Sequence, residues 1–512
     1  MSTGKPSSPK PFSRILIAEV EGTARSLRHR QLQLHRLQTT LTKNRTLLIQ
    51  ALKTDFGYTE IEALFEYSLS LSELRAHYDS IDFEKEVQLN KTIENGVESL
   101  DRYASVGIIY VVPRSGLHAV LSPLCAAIAA GSCVIVERKI PQTTKQTSSA
   151  LRSILPAGLS GDTFAVSKER PDSSFLRQCT VVLQTNEVLT TSTKAGSDLL
   201  ESKKLIISPS SAKTLVVVDR TADISLAARS LIVAKFGFSN TSAYAPDVVF
   251  VHEAVAKTFS TRLVEVARSY FDGLESNTGS NKTSKGPGGS KALEGHNVLL
   301  SSKQGDIIEL NQSSSASHTP SWAAGLPSTT LLLCKVTSTD EAIDLSAELG
   351  GTGHIQGPAA ALIFASPADA QYIANSIDAS LTCVNTFPAE LLVGPKLAPS
   401  ANRSGEASTA LFPRYKRHLF EDSRPIVQKQ TLQVLNGGTD LIVQAETKTF
   451  RQWVDSAEVP LKPTGQRPGK AVGFFDAAIM LSLATVGVPL LVGLGFVGRF
   501  AFRRYGGGKF GF

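Results

Sequence analysis

Hydrophobic positions along the chain change their spacing near residue 106. Upstream, leucines recur three, four and seven residues apart within Ile15–Phe56, and a second helical stretch, Glu60–Tyr78, follows. This spacing places the leucines on one face of a helix and predicts a helical N-terminal region. Val106–Pro113 is instead a nearly continuous apolar run, which predicts a strand covered on both faces.

Strands and helices alternate through the middle of the chain. A helix predicted over Leu117–Ala130 ends at Gly131 and leads into a strand over Cys133–Val136. The alternation of strands and helices is interrupted by polar segments and resumes over Thr329–Asn385. Such alternation is typical of open, mostly parallel α/β sheets, and here it predicts two α/β lobes. The other predicted elements are strands Thr180–Leu183, Lys204–Ile207, Leu215–Asp219 and Asp247–His252, and a helix over Ala222–Phe236.

Changes in composition mark the boundaries between these parts. Ser276–Gly289 and Ser313–Ser321 are polar and aperiodic, so we expect solvated insertions there. The predicted organisation in chain order is a disordered N-terminus (1–14), a first lobe with N-terminal helices (15–212), a second lobe (213–400) with a flexible insertion (274–325), an irregular segment (401–446), a linker (447–476), an apolar helix (477–498) and a basic tail (499–512).

The apolar helix predicted over Ala477–Gly498 contains no charged residue. At about 1.5 Å per residue it covers the roughly 30 Å hydrocarbon core of a bilayer, which favours a transmembrane helix over a buried core helix. Only a short basic tail follows, so we expect insertion after synthesis. These features predict a tail-anchored protein whose bulk faces the cytosol, in the mitochondrial outer membrane, the peroxisome or the endoplasmic reticulum.

Charge and cysteine content exclude several classes of function. The net charge of +7 is spread along the chain and not gathered in a basic helix, which argues against nucleic-acid binding. The five cysteines are widely spaced without a Cys-x-x-Cys motif, as suits a reducing compartment, and we expect no metal site. The N-terminus has no apolar stretch typical of a secretory signal.

Several phrases along the chain resemble those of one enzyme superfamily. They are LSPLCAAIAAG (Leu121–Gly131), VVDRTADISLAAR (Val217–Arg229), APDVVFV (Ala245–Val251), DEAI (Asp340–Ile343) and FEDSRPI (Phe420–Ile426). With these phrases the sequence resembles the aldehyde dehydrogenase superfamily over about residues 20–430, and most of all the class-3 branch with its tail-anchored fatty aldehyde dehydrogenases. The resemblance implies a coenzyme lobe and a catalytic lobe, both Rossmann-like, an oligomerisation extension, NAD(P) as coenzyme, and dimers.

The resemblance also implies where the catalytic residues should lie. In that family a cysteine thiolate attacks the aldehyde, a glutamate activates water, and an asparagine helps to hold the oxyanion. Counting from the matching phrases, the cysteine position is Ala243, the glutamate position is Pro209, and the asparagine falls within Pro113-Arg114-Ser115-Gly116. None of these residues can perform the family's chemistry.

The coenzyme positions implied by the resemblance are altered as well. The family's lysine that binds the adenosine ribose falls on Glu137, which reverses the charge. Its glycine-rich turn falls near Thr185–Thr190, where neither glycine is present and Glu187 would repel phosphate. NAD(P) is the expected coenzyme by resemblance, but these substitutions oppose its binding in the family's manner.

Other residues could in principle replace the lost groups. Cys383 lies in a segment that approaches the family's active site and is a candidate nucleophile; the alternative is an ordinary strand residue. Cys125 and Cys133 lie in apolar contexts typical of a core. His118 could be a base without an evident nucleophile, and Ser242 an alcohol without an evident base.

Two functions follow from these observations. One is a membrane-anchored pseudoenzyme that binds a ligand in lipid, aldehyde or related carbonyl metabolism, or that regulates an active relative, as a homodimer or heterodimer. The other is an active NAD(P)-dependent fatty aldehyde oxidoreductase with a rebuilt site. The simultaneous loss of nucleophile, base and oxyanion positions favours the first, because losing one such group already costs several kcal/mol of transition-state stabilisation.

Overall fold

The computed structural model describes part of the chain, and every described residue belongs to one compact unit, Met1–Leu461. The described residues are 12–82, 84, 105–114, 116–137, 145–184, 199–208, 212–278, 296–310, 329–349, 357–394, 426–427 and 448–461. None of the helices in these ranges is both long and apolar enough to cross a membrane. The predicted transmembrane segment 477–498 lies outside the described residues.

The strands of the described region form two sheets, and helices pack on both. The helices are α1 (Ser13–Glu21), α2 (Leu27–Lys43), α3 (Arg45–Phe56), α4 (Glu60–Asp79), α5 (Leu117–Ala129), α6 (Lys145–Gly158), α7 (Ser173–Leu176), α8 (Ile224–Phe236), α9 (Glu253–Thr278), α10 (Thr339–Leu349), α11 (Pro367–Ser376) and α12 (Lys448–Glu458). Short 3-10 turns occupy Thr23–Arg25, Phe238–Asn240 and Ala389–Leu392.

The first sheet has five strands in the order β3-β2-β1-β4-β5, all parallel. The second has eight in the order β13-β12-β11-β6-β7-β10-β9-β8, and within it only the β8–β9 pair is antiparallel among the described strands. The strands are β1 (Ile108–Val112), β2 (Cys133–Glu137), β3 (Phe164–Ser167), β4 (Cys179–Leu183), β5 (Lys204–Ile207), β6 (Thr214–Val218), β7 (Val248–His252), β8 (His296–Ser301), β9 (Asp306–Leu310), β10 (Thr330–Val336), β11 (Ala360–Phe364), β12 (Thr382–Val384) and β13 (Ile426–Val427).

Burial on both faces explains why the central strands are apolar along their whole length. In β6 every residue is buried, and the same holds for β2 and β11. One face of each sheet joins a continuous core shared with α2–α6, α8 and α9, while the opposite faces pack in two separate clusters. Parallel strands aligned in this way bring their carboxyl ends to one edge, where ligand sites of open α/β sheets form.

The N-terminal helices cover the first sheet, and α4 is their centre. Thr59 begins α4 with a capping box, in which its hydroxyl accepts from the Glu62 N–H and the Glu62 carboxylate accepts from the Thr59 N–H. The helix is buried on most sides because α3, α5 and α12 pack around it. Phe65, for example, is buried with its ring centroid 5.5 Å from that of Trp453 on α12.

The prediction of a mostly parallel α/β fold preceded by helices is confirmed, with several corrections to individual elements. The helical stretch Ile15–Phe56 is broken by Gly22, at φ +69°, and by Asn44. The flexible insertion predicted over 274–325 contains β8 and β9, whose short apolar runs stand in a polar context. The predicted linker 447–476 begins with α12.

Helix α12 is held to the N-terminal helices by polar contacts as well as packing. The Gln38 amide donates to the Val459 carbonyl at 2.8 Å and its oxygen accepts from the Leu461 N–H at 3.0 Å. Arg45 pairs with Glu458 at 2.7 Å, and Arg75 donates to the Val459 carbonyl. The compact unit therefore extends to Leu461, about fifteen residues beyond the boundary predicted from sequence.

Candidate functional site

The position of the family's nucleophile lies in the loop between α8 and β7. Ala243 is half-buried there, next to Ser242, whose hydroxyl donates to the Leu391 carbonyl at 3.0 Å. A hydroxyl held in this way is satisfied by a backbone acceptor, and no base contacts it among the described residues. The glutamate position, Pro209, lies outside the described residues, as do Ser115 and the segment 185–190 with Glu187.

A cavity of about 340 Å³ opens beside this loop. It lies where the end of α3, the middle of α4, the loop after β1 and the segment after β12 approach one another. Its lining residues are Asp55, Phe56, Tyr58, Glu66, Arg114, Ala119, Thr241, Leu392, Val393 and Gly394. The cavity therefore combines apolar side chains with two carboxylates, one guanidinium and two hydroxyls.

Arg114, in the segment where the family carries its asparagine, is anchored through its backbone. Its N–H donates to Gln184 Oε1 at 2.8 Å, and Gln184 Nε2 donates to the Ala119 carbonyl at 2.6 Å. The guanidinium reaches across the cavity wall and donates to the Thr241 carbonyl at 3.3 Å. The cavity therefore carries a permanent positive charge near the former nucleophile position.

Three glutamates on α4 form an inward-facing acidic row, which the sequence analysis did not identify. Glu62, Glu66 and Glu73 are four and seven residues apart, which places them on one face of the helix. Glu62 accepts from the Phe238 N–H at 2.7 Å, and Glu73 lies 3.1 Å from His118 Nε2. The row connects α4 to the loop before β7 and to α5, and its spacing was a readable signal in the sequence.

Glu66, in the middle of the row, caps the start of α5. Its Oε1 accepts from the Leu117 N–H at 2.7 Å and the His118 N–H at 3.0 Å. Its Oε2 is buried and has no hydrogen-bond partner among the described residues. Burial raises the pKa of the Glu66 carboxyl, and the two backbone N–H donors and His118 offset part of that rise. Glu66 is thus a buried carboxyl with a raised pKa that lines the cavity, and its second oxygen has no hydrogen-bond partner among the described residues.

His118, a candidate base in the sequence, is confined. The side chain is buried and Glu73 contacts its Nε2. A Cβ placed on Gly394 would lie 2.7 Å from His118 Nδ1, so the backbone after the Ala389–Leu392 turn packs directly on the ring. Burial favours a higher pKa for Glu73, but the contacts with His118 outweigh it and lower that pKa. His118 acts here as the partner of Glu73 and contacts no candidate nucleophile in the described region.

The residue that the resemblance assigns to the coenzyme lysine position, Glu137, forms a buried ion pair. Glu137 ends β2, and Arg170 follows β3. Arg170 donates from Nη2 to Glu137 Oε1 at 2.8 Å and from Nε to Oε2 at 3.0 Å, and the Tyr110 hydroxyl donates to Oε2 at 3.0 Å. Burial, together with the Glu137 charge, raises the pKa of Tyr110 and keeps it a donor.

This pair does not fit the coenzyme in the family's manner. The resemblance requires a cationic donor for the ribose, and here both oxygens of a carboxylate are engaged by the protein's own donors. Opening the pair for a ribose would leave buried charge uncompensated. Glu137 therefore acts as a structural group within the described residues.

All five cysteines are buried. Cys383, the candidate replacement nucleophile, is fully enclosed in β12, where burial and the charge of Glu390 raise its pKa to about 12. Burial likewise raises the pKa of Cys133 and Cys179 to about 12 and that of Cys125 still further. Because the thiolate is the nucleophile, these thiols are unreactive near neutral pH. Within the described ranges, no three His, Cys, Asp or Glu side chains are grouped to hold a metal ion.

Comparisons with known proteins agree with the fold. A sequence profile of the aldehyde dehydrogenase family matches residues 19–287, just over half of the chain. Aldehyde dehydrogenase family 3 member B1 of Bos taurus is 30% identical over 160 residues, which are 30% of this chain. The match spans about a third of that relative's length, 34%.

Solved structures of this family share the architecture at low identity. A NAD-dependent benzaldehyde dehydrogenase from Corynebacterium glutamicum gives a TM-score of 0.52 at 16% identity, over 73% of this chain and 85% of its own. Staphylococcus aureus AldH in a substrate-bound state gives 0.53 at 16%, over 75% and 86%. Succinic semialdehyde dehydrogenase from Streptococcus pyogenes, in complex with NADP+, gives 0.52 at 13%, over 78% and 94%. The profile match and the shared fold establish that the chain belongs to the aldehyde dehydrogenase family.

Proposed function

We propose that this member of the family has kept the fold and lost the family's oxidation reaction, and that it acts by binding a ligand or a partner at a membrane. The observation that carries the proposal is Ala243. A methyl group stands at the position that the resemblance assigns to the nucleophile, two residues along the chain from Thr241, which lines a formed cavity. Ligand space is present there without the atom that would attack an aldehyde.

The surrounding residues support the same conclusion. Cys383 is enclosed and held as a thiol, and the Ser242 hydroxyl is bonded to a carbonyl. Arg114 occupies the segment where the family has its asparagine, and Pro209 has no group that could activate water. A new nucleophile would need a base in contact with it, and the described residues provide none.

The Glu137–Arg170 ion pair is an argument for weak or absent coenzyme binding. A dehydrogenase needs nicotinamide as its hydride acceptor, and the coenzyme's chemistry cannot be replaced by side chains. Here the group that would hold the ribose is bonded internally. The solved relatives named above include a NAD-dependent dehydrogenase and a dehydrogenase in complex with NADP+, so coenzyme binding is a direct point of comparison.

The membrane belongs to the proposal through the segment Ala477–Gly498. Its length and lack of charge support an anchor. We further propose that the compact unit assembles as a homodimer, or as a heterodimer with an active aldehyde dehydrogenase that it regulates. Both roles use the fold and need no turnover.

The experiment is a steady-state assay of the full-length chain in mild detergent. NAD(P)H formation is followed with short and long aldehydes, and the variants Cys383→Ala and Ala243→Cys are measured beside the unaltered chain. We expect no turnover in any of the three, because Ala243→Cys restores a thiol without restoring the base or the oxyanion asparagine. Turnover by the unaltered chain that survives Cys383→Ala would overturn the proposal and favour an active oxidoreductase with a rebuilt site.

A further inference from the structure

The cavity beside Ala243 holds an unexplained buried group. Glu66 is 1% exposed and lines the cavity, and its Oε2 has no hydrogen-bond partner among the described residues. A buried polar atom without a partner destabilises the folded state, so such atoms are uncommon in native structures. Since Oε1 is turned to the N-terminus of α5, Oε2 is the oxygen available to a molecule in the cavity.

The other charges of the cavity indicate what that molecule carries. Asp55 is occupied, because its two oxygens accept from the Gln146 and Thr147 N–H groups at the start of α6, at 3.2 and 2.7 Å. Arg114 bonds only a single neutral carbonyl, at 3.3 Å, so its charge is unneutralised by any contact among the described residues. Among the described residues, the guanidinium of Arg114 is therefore the charged group of the cavity with donors left for a ligand, and it suits an anionic head group.

Apolar side chains supply the rest of the wall. Phe56, Leu392 and Val393 line the cavity together with the methyl group of Ala119. This combination suits a short hydrocarbon attached to a small acidic head. A planar carboxylate matches the fork of a guanidinium, and its second oxygen can accept a hydrogen bond from a protonated carboxyl.

We propose that the cavity binds a small carboxylic acid as its anion, with the carboxylate held between the Arg114 guanidinium and the protonated carboxyl of Glu66. The inference rests on the proposed function, because it assigns the cavity to a ligand at the oxidation level of an acid and not to an aldehyde in turnover. Glu66 would donate from Oε2 while Oε1 keeps its two backbone bonds.

Binding of this kind is coupled to a proton. Burial raises the pKa of Glu66, and a bound carboxylate raises it further because it stabilises only the protonated form. Where free Glu66 is ionised, each carboxylate bound takes up one proton, so affinity falls by about tenfold per pH unit. The charged and titratable groups around Glu66 are Glu62 and Glu73 on α4, His118 on α5, Tyr58 before α4, Arg114 after β1 and Asp55 at the end of α3.

Calorimetric titration of the full-length chain with butanoate, butylamine and butanal tests the proposal, from about pH 6 to about pH 9, where butanoate itself stays ionised. We expect saturable binding of butanoate whose affinity falls with rising pH. Butylamine that binds more tightly as the pH rises would overturn the proposal, because it would assign an ionised Glu66 to a cationic ligand. Absence of butanoate binding at every pH would also overturn it.

Variants separate Glu66 from the other titrating groups. Glu66→Gln keeps an acceptor for the α5 N–H groups and adds a permanent N–H donor. We therefore expect this variant to bind butanoate with an affinity that does not depend on pH. A pH dependence caused by His118 would persist in this variant and would overturn the assignment to Glu66. Arg114→Gln should weaken binding at least about tenfold. Arg177→Gln is the matched control, since Arg177 is exposed and pairs with Glu201; we expect unchanged affinity.

The titration with butanal distinguishes the proposed acid site from the proposed loss of aldehyde oxidation. Butanal with NAD+ is followed for NADH in the same preparation. Binding of butanoate together with NADH formation would overturn the proposed function and leave the acid site standing. If butanoate does not bind and no NADH forms, only the proposed acid site is overturned.

Discussion

Two buried glutamates, one in each functional region, differ in how completely the protein satisfies them. Glu137 has donors on both oxygens, from Arg170 and Tyr110. Glu66 has two backbone donors on one oxygen and none on the other within the described residues, beside a cavity. The first carboxylate belongs to the structure, and the second retains bonding capacity for another molecule.

The difference is the one that the proposed function requires, because one region is internally satisfied and the other keeps room for a ligand. Glu137, at the position that the resemblance assigns to the coenzyme lysine, has its counter-charge on the segment after the next strand. Glu66 lines a cavity whose polar wall also includes Arg114. The state of each buried charge therefore says more about function than does the fold, which the active relatives share.

Removing Arg170 should produce the largest loss of stability. Arg170→Met leaves Glu137 buried without its cation, and breaking a buried ion pair from one side costs about 3–5 kcal/mol. Urea unfolding followed by circular dichroism measures the loss. The double variant Glu137→Leu/Arg170→Met is the control and should recover most of it, because both charges are then gone. A single variant as stable as the unaltered chain would mean that the pair is not closed.

Glu66→Ala should cost less, about 1–3 kcal/mol, because it leaves the α5 N–H groups without their acceptor. Glu66→Gln retains the acceptor and should cost under about 1 kcal/mol near neutral pH. The same unfolding measurement compares them. Equal losses in the two variants would show that capping of α5 does not depend on Oε1.

The stability difference between the unaltered chain and Glu66→Gln should also depend on pH. Because burial raises the folded-state pKa of Glu66, the neutral carboxyl is favoured in the folded chain. The stabilisation that neutral Glu66 contributes to the folded state is fully present below the ordinary carboxyl pKa. It falls as the pH rises from there through the raised folded-state pKa, and at higher pH it no longer changes. A difference that increased with pH over this window would indicate a lowered pKa and contradict the account.

Tyr110→Phe should have the smallest effect, about 1 kcal/mol, since Glu137 Oε2 keeps its bond from Arg170 Nε when the hydroxyl is removed. Thermal or urea unfolding detects it. Tyr67→Phe is a suitable comparison, because the Tyr67 hydroxyl is buried and makes no hydrogen bond of normal geometry in the described region. A larger loss of stability in Tyr67→Phe than in Tyr110→Phe would contradict a stabilising hydrogen bond from Tyr110 to Glu137.

The strands were predictable where burial on both faces makes them apolar throughout. Val106–Pro113 contains β1 and Cys133–Val136 lies within β2, because such runs differ from any amphipathic helix. Strands β8 and β9 were missed because they are short and stand at a sheet edge beside polar sequence. Helix α12 was missed although Phe450, Val454, Ala457 and Leu461 recur at helical spacing, since it is short and follows an irregular region.

At the candidate site, the sequence predicts which residues stand at the positions implied by the resemblance, but not which side chains surround them. Ala243 and Glu137 follow from counting along matching phrases. The Arg170 partner does not, because it lies 33 residues from Glu137 and meets it only through the register that pairs Glu137 with Ser167. Glu66 was hidden in a helix, and its role depends on which atoms of α5 face it.

The central claim, that the fold is retained without the family's oxidation, is tested most directly by a single-turnover measurement. Full-length chain at high concentration is mixed with excess NAD+ or NADP+ and an aldehyde, and reduced nicotinamide is followed by absorbance from milliseconds to hours. Steady-state assays miss an enzyme that reacts once and then stalls, whereas this measurement detects it. The account predicts no reduced nicotinamide above the rate without protein. A burst stoichiometric with the chain would contradict it.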